Sequence, residues 1–214
     1  MARAVQAHDK LLAGCAAILA LVFVWSWFGA HDRFTWWLEA IPAIIAVILL
    51  AATVNSFPLT PLAYILVTIH SIILLVGAHY TYALVPLFDW IRDAFGFSRN
   101  HYDRLGHFAQ GFVPAIIARE LLIRTSPLRP SRWLFAIVTL SCLGISAAYE
   151  LIEWFAAITT GEAATAFLGT QGDPFDTQAD MAMALIGAIT AQLLLSRLHD
   201  RQLAALAGKR SSVK

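Results

Sequence analysis

Charge is what this chain of 214 residues lacks most. Asp, Glu, Lys and Arg together make up 14% of it, against 59% hydrophobic residues, and the mean hydropathy is +0.67. A water-soluble domain carries about a quarter of its residues as charges, enough to cover a solvated surface. That shortage excludes a soluble enzyme and a disordered tail. The formal net charge of +1 provides no field to select a polyanion, so nucleic acid is excluded as a partner. Cysteine is nearly absent: Cys15 and Cys142 both lie in apolar runs, where they read as small buried hydrophobes and not as a disulfide pair. No GxSxG, P-loop, dinucleotide fingerprint or CxxC occurs, which removes serine hydrolase, nucleotide-driven and thioredoxin-like readings.

What the chain has instead is long apolar runs. A helix needs about 20 apolar residues to cross the hydrocarbon core. Six segments meet or approach this: Leu11 to Phe28, Trp37 to Val54, Pro61 to Tyr82, Leu105 to Ile123, Trp133 to Phe155 and Ala179 to Leu198. They are continuously apolar and not alternating, which favours helices over a barrel. The expected fold is therefore all-α: one polytopic transmembrane helix bundle over residues 1–214, with about six spans. A short interfacial helix is expected between Ala83 and Arg104, and a Gly/Thr-rich loop from Ala156 to Gln178. The first run is read as a retained span and not a signal peptide, because Trp25, Trp27 and Phe28 stand where small residues would be needed for cleavage.

Six spans put both termini on one face. Of the fifteen Lys and Arg residues, eleven fall on that face, Arg3 and Lys214 among them; only Arg33, Arg92, Arg99 and Arg104 fall on the other. The bias places both termini in the cytoplasm. The acidic residues run the opposite way: Asp89, Asp93, Asp103, Glu150, Glu153, Glu162, Asp173, Asp176 and Asp180 all map to the outer half. Acidic side chains contribute little to insertion, so this asymmetry requires another cause.

Four stretches carry chemistry to that face. They are His79-Tyr80-Thr81-Tyr82; Phe88 to Asp93; Ser98 to Gly111; and Glu150 with Glu153 followed by Thr170 to Asp180. Asp103 and His107 are four apart and share a helix face, with Gln110 a turn further; Glu150 and Glu153, and Asp176 and Asp180, are likewise spaced. Carboxylates clustered without cations repel, so a metal ion, the arginines or shared protons should sit among them. His with Asp and Glu suits Zn²⁺ or Mn²⁺, and an all-carboxylate set suits Mg²⁺ or Ca²⁺. The expected ligands are His101, Asp103, His107, Asp173, Asp176 and Asp180. Glu150 or Glu153 would activate water. Arg92, Arg99, Arg104, His79, Asp89 and Gln171 are the candidate substrate-binding groups. Beside these stand plainer readings: His79 in an interfacial aromatic belt, Asp89–Arg92 as a surface pair, Glu120 in an interfacial ion pair, and His70 as a packed histidine.

The run from His79 to Glu120, with FDWIRD, SRNHYDRLGHFAQGF and ARE, and the segment FLGTQGDPFDTQADMAMALIGA, resemble the YjdF-like family of bacterial inner-membrane proteins. The resemblance covers about two-thirds of the chain. It implies a multi-helix protein of the inner membrane and no particular reaction. The residues themselves point to a metal-dependent enzyme acting on a lipid or lipid-linked substrate at the outer leaflet. A proton- or cation-coupled transporter and an accessory protein of a larger membrane assembly remain as alternatives.

Overall fold

The computed structural model describes residues 2–161, 165–168 and 170–211; Glu162 and Lys214 lie outside the described residues. The helices are α1 (Ala2–Trp27), α2 (Arg33–Thr53), α3 (Pro61–Tyr80), α4 (Pro86–Phe95), α5 (Tyr102–Thr125), α6 (Arg132–Thr160), α7 (Thr165–Leu168) and α8 (Asp176–Ser211). No strand occurs among the described residues. Short polar residues set the helix starts. Asp32 accepts from the Thr35 amide at 2.7 Å, Thr60 caps α3 with Pro61 in its first turn, and Ser131 accepts from Leu134 at 3.2 Å. Gly96 ends α4 in a left-handed conformation that costs glycine little.

Five helices (α1, α2, α3, α6 and α8) are long and apolar enough to cross a membrane. The fourth predicted span, α5, has the length, at 24 residues, but is too polar to qualify by composition. Its neighbours explain that departure. α3, α6 and α8 pack around it, and its buried residues include His107, Arg119 and Glu120, polar groups that a lipid-facing helix does not tolerate. The outer helices show the opposite pattern: Leu21, Ile48, Leu140, Leu151 and Leu193 are exposed, as a bundle solvated by lipid requires. The expected interfacial helix is α4, which buries no residue and exposes Leu87, Trp90 and Phe95. The stretch expected as a Gly/Thr-rich loop contains one short helix, α7.

The contacts give the helix directions. His8 meets Tyr64 at one end of the α1–α3 pair and Trp25 stacks on His79 at the other, so these two run parallel. α5 and α8 also run parallel, joined by Arg104 to Asp180 at one end and Arg119 to Asp200 at the other. The Leu62 amide donates to Gln202 Oε1 at 2.9 Å, so the start of α1 and the end of α8 lie at the same end of the bundle. α5 and α8 approach closely because of two glycines. A Cβ on Gly111 would collide with the carbonyl of Ala184, and one on Gly187 with the backbone of Phe108.

At the terminal end, a buried clasp fixes this pair to α3. Glu120, fully enclosed, accepts from the Thr60 amide at 3.1 Å, the Thr60 hydroxyl at 2.8 Å, Arg124, and His199 Nε2 at 3.1 Å. Arg119 donates to His199 Nδ1 at 3.0 Å, which leaves the imidazole proton on Nε2, facing Glu120. Glu120 is thus not an ordinary interfacial ion pair but a junction of three helices. Removing one partner from such a network strands the others, a loss of about 3–5 kcal/mol. Glu120→Ala is expected to lower the melting temperature in detergent by more than any single alanine change at an exposed arginine such as Arg129, as measured by thermal unfolding.

Candidate metal centre and adjoining cavity

The opposite end of the bundle gathers the acidic residues. Asn100, fully buried just before α5, organises the approach. Its side chain accepts from the Tyr102 amide at 3.0 Å and donates to Val85 O at 3.1 Å and Asp89 at 3.0 Å. Gln171 pairs with the Asn100 backbone in both directions, each at 2.9 Å. One asparagine thereby ties α4, the start of α5 and the loop before α8 together. Gln171 and Gly172 both take positive φ (47° and 83°), the turn that presents the Gln171 amide to Asn100. The side chain proposed for substrate is therefore engaged in building the site.

Two arginines then join the loop to the helices. Arg99, 5% exposed, binds Asp176 and lies 3.5 Å from Asp173 and 3.8 Å from Asp103. Arg104 reaches Asp180 at 2.5 Å, Asp176 at 2.9 Å and Asp173 at 3.0 Å. The Asp173 carboxyl is held below the usual carboxylate range by the Phe175 amide, then by Arg104 and Arg99. Asp173 and Asp176, expected as ligands, instead neutralise the arginines expected to hold a substrate anion.

Deeper in, the geometry changes. His107 Nε2 lies 3.5 Å from Asp103, 3.7 Å from Glu150 and 4.0 Å from Asp180, all longer than a good hydrogen bond, so the four groups surround a gap. With Gln110 Oε1 3.0 Å from Nδ1 and accepting its proton, the lone pair falls on Nε2 and faces the carboxylates. Ligand atoms of Asp103, His107 and Asp180 lie within 4.8 Å of one another, close enough for one ion to collect after small side-chain rotations. Glu150 is buried, and its Oε1 has no hydrogen-bond partner.

Other expected residues stand apart. His101 packs edge-on against Phe97 at 5.2 Å; burial and the neighbouring Arg99 and Arg104 push its pKa down, and it is not in the ligand group. His79 is stacked on Trp25 at 4.4 Å with Nδ1 3.1 Å from Ser26 O, joining α1 to α3. Arg92 pairs with Asp89 at 2.7 Å and Asp93 at 2.9 Å on α4, and Asp89 also accepts from Asn100. For His79 and the Asp89–Arg92 pair these contacts match the plainer readings, whereas His101, expected as a ligand, packs against Phe97.

A cavity of about 260 Å³ adjoins the cluster. Asp103, His107, Gln110 and Glu153 line it, together with Tyr82, Tyr149 and three groups the sequence reading passed over or discounted: Glu39, His70 and Phe167. Glu39, 3% exposed, has an Oε2 without a hydrogen-bond partner, and His70 Nε2 is likewise unpartnered. The available signal was a lone carboxylate inside the run Trp37 to Val54; an ionisable residue at such depth usually faces a cavity.

An all-helical bundle with lipid-facing flanks and a buried histidine–carboxylate cluster defines a multi-pass integral membrane protein. Residues 11–201 match the family described as "Predicted membrane protein (DUF2238)", and the chain belongs to that family. Among its relatives is the "Inner membrane protein YjdF" of Escherichia coli (strain K12), 50% identical over 188 residues that cover 88% of this chain and 90% of the relative. The resemblance drawn from the motifs is thereby borne out. No solved structure matches.

His101 supplies a pH test of its placement. Its folded pKa lies below the ordinary 6.5, so protonation favours the unfolded chain. Its contribution to stability is complete above that value and is lost as pH falls through it. Thermal unfolding between about pH 7 and about pH 5 is expected to show a smaller decline for His101→Gln than for the natural protein.

Proposed function

We propose that this protein is a divalent-metal-dependent enzyme embedded in the inner membrane, acting on a lipid or lipid-linked substrate at the outer leaflet. The observation that carries the reading is the buried group Asp103, His107 and Asp180, with ligand atoms within 4.8 Å, opening onto a cavity inside the bundle. Charge supports it as well. Glu39, Asp103, Glu150, Glu153, Asp173, Asp176 and Asp180 stand against Arg99 and Arg104, so the cluster has too few cations of its own. One histidine among carboxylates favours Zn²⁺ or Mn²⁺, with Mg²⁺ a poorer match to the imidazole.

A bound divalent ion would polarise a phosphoryl or ester oxygen and acidify water. Around it, Arg104 orients Asp180, and Gln110 sets the His107 tautomer. Glu150, whose Oε1 lies 3.7 Å from His107 and accepts no hydrogen bond, is placed to take a proton from water. Glu153 lines the cavity beside it. Arg99 and Arg104 act through the aspartates they hold and leave the anionic part of a substrate to the metal.

The excess of Lys and Arg on the face that carries the termini supports a cytoplasmic location for both termini and an outer location for the site. A second reading, proton- or cation-coupled transport, draws support from Glu39 and His70, which carry polar groups further along the cavity. Against it stands the Glu120 clasp at the terminal end, whose carboxylate oxygens are both engaged in hydrogen bonds.

Elemental analysis of detergent-purified protein tests the enzyme reading. About one metal per chain is expected after loading, falling to under about a tenth in both His107→Ala and Asp180→Asn, with both variants still showing cooperative unfolding. Stoichiometric metal in both variants, or none in the natural protein under Zn²⁺, Mn²⁺ and Mg²⁺ loading, overturns it. Cation flux in proteoliposomes that Glu39→Gln abolishes would favour transport instead.

A further inference from the structure

The cavity has a chemistry that the metal group does not explain. Its walls come from α2, α3, α5, α6 and α7, and most of the lining is apolar, including Val67, Leu74, Val113 and Ile145. Into this apolar space project carboxylates from separate helices, Glu39 from α2 and Glu153 from α6, with Asp103 at the rim shared with the cluster. No Lys or Arg lines it among the described residues. The arginines nearby, Arg99 and Arg104, are held by Asp173, Asp176 and Asp180 and do not line it.

Glu39 is the independent pointer to a ligand. It is 3% exposed, yet Oε2 has no hydrogen-bond partner among the described residues, a costly state for a buried carboxyl. The hydroxyl-bearing rings of Tyr82 and Tyr149 line the same space. Carboxylates combined with aromatic faces in an apolar enclosure favour an organic cation over an anion or a neutral chain. The way in is also visible. α2 packs on α3 and α6 packs on α5 and α8, while α2 and α6 both flank the cavity and share no extensive packing among the described residues. α7 bridges them only at the site end, where Phe167 is buried and faces the Tyr149 ring at 6.3 Å. A seam between two lipid-facing helices admits an amphiphile from the bilayer, with no passage through water.

We infer that the cavity binds an amphiphilic organic cation, an amine or ammonium group attached to a hydrocarbon chain, which enters between α2 and α6 and sets its positive group against Glu39. As a statement about substrate this rests on the enzyme reading; as a statement about binding it concerns the cavity alone. The occupant combines a chain that fits Val67, Leu74 and Ile145 with a donor that satisfies Glu39 Oε2. A lipid amine head group and a free alkylamine share this chemistry.

Photocrosslinking tests it. The full chain in neutral maltoside micelles is irradiated with a diazirine-bearing decylammonium probe, and the labelled peptides are mapped by mass spectrometry. Labelling is expected in segments 67–74 and 145–153, about tenfold above that of the decyl sulfate counterpart, and reduced about tenfold by Glu39→Gln. Leu74→Trp, which fills the cavity and leaves every carboxylate in place, should also remove the label; it keeps the test decisive if Glu39→Gln fails to fold. Equal labelling by the sulfate, or undiminished labelling in a folded Glu39→Gln protein, overturns the inference. Displacement of the probe by phosphatidylethanolamine assigns the cation to a lipid head group; displacement by decylammonium alone assigns it to a free amine. Metal analysis on the same samples separates the two readings: specific labelling of a protein that never holds metal removes the enzyme and leaves the cation site, whereas metal without labelling does the reverse.

Discussion

The parallel contact of α5 and α8 underlies the other features of the molecule. Gly111 and Gly187 let the two backbones touch, and that closeness brings Asp180 to Arg104 and His107 at one end and His199 to Arg119 and Glu120 at the other. Inside a bilayer no water can satisfy such groups, so each must find its partner across the helix interface or face a cavity. The interface therefore does two jobs with one geometry. At the terminal end every polar atom of Glu120 is bonded, and the result is a rigid clasp. At the other end the separations open to 3.5–4.0 Å around His107, and the groups are left without close partners there.

That contrast divides the buried polar groups of one interface into two kinds. The Glu120 network joins α3, α5 and α8 and has no oxygen left over. The cluster around His107 leaves Glu150 Oε1, and nearby Glu39 Oε2, without hydrogen bonds. Buried polar atoms without partners are costly and scarce in folded proteins. Glu39 Oε2 belongs to a residue that lines the cavity, and Glu150 Oε1 lies 3.7 Å from His107, so both fall at the end of the bundle opposite the clasp. The arginines confirm the division: Arg99 and Arg104 bind the loop aspartates, and so fix α8 against α5 without entering the cavity.

The reading from residues reached the bundle, the interfacial helix α4 and the core of the cluster because each rests on local pattern. Long apolar runs imply spans, and a four-residue spacing puts Asp103 and His107 on one face. It went astray where a residue type has several uses. His79, His101 and Arg92 carry the right atoms for a site, yet they pack against Trp25, Phe97 and the α4 aspartates. Glu39 and His70 were passed over or discounted for the converse reason: each is alone in an apolar run, and no spacing rule connects α2 or α3 to α5.

Composition and periodicity by themselves determined that this chain is a helical membrane protein, because the free energy of placing apolar and charged groups in lipid depends on residue type and scarcely on partners. They also determined that acidic groups collect at one end, since the order of spans assigns every loop to a side. Only the tertiary structure decided which of those groups meet. Arg99 takes Asp176 across 77 residues, Arg104 takes Asp180 across 76, and Glu120 takes His199 across 79. Such pairings are set by the crossing of whole helices, down to the absence of a Cβ at Gly111 and Gly187. Sequence spacing within one helix carries no record of what the next helix presents to it.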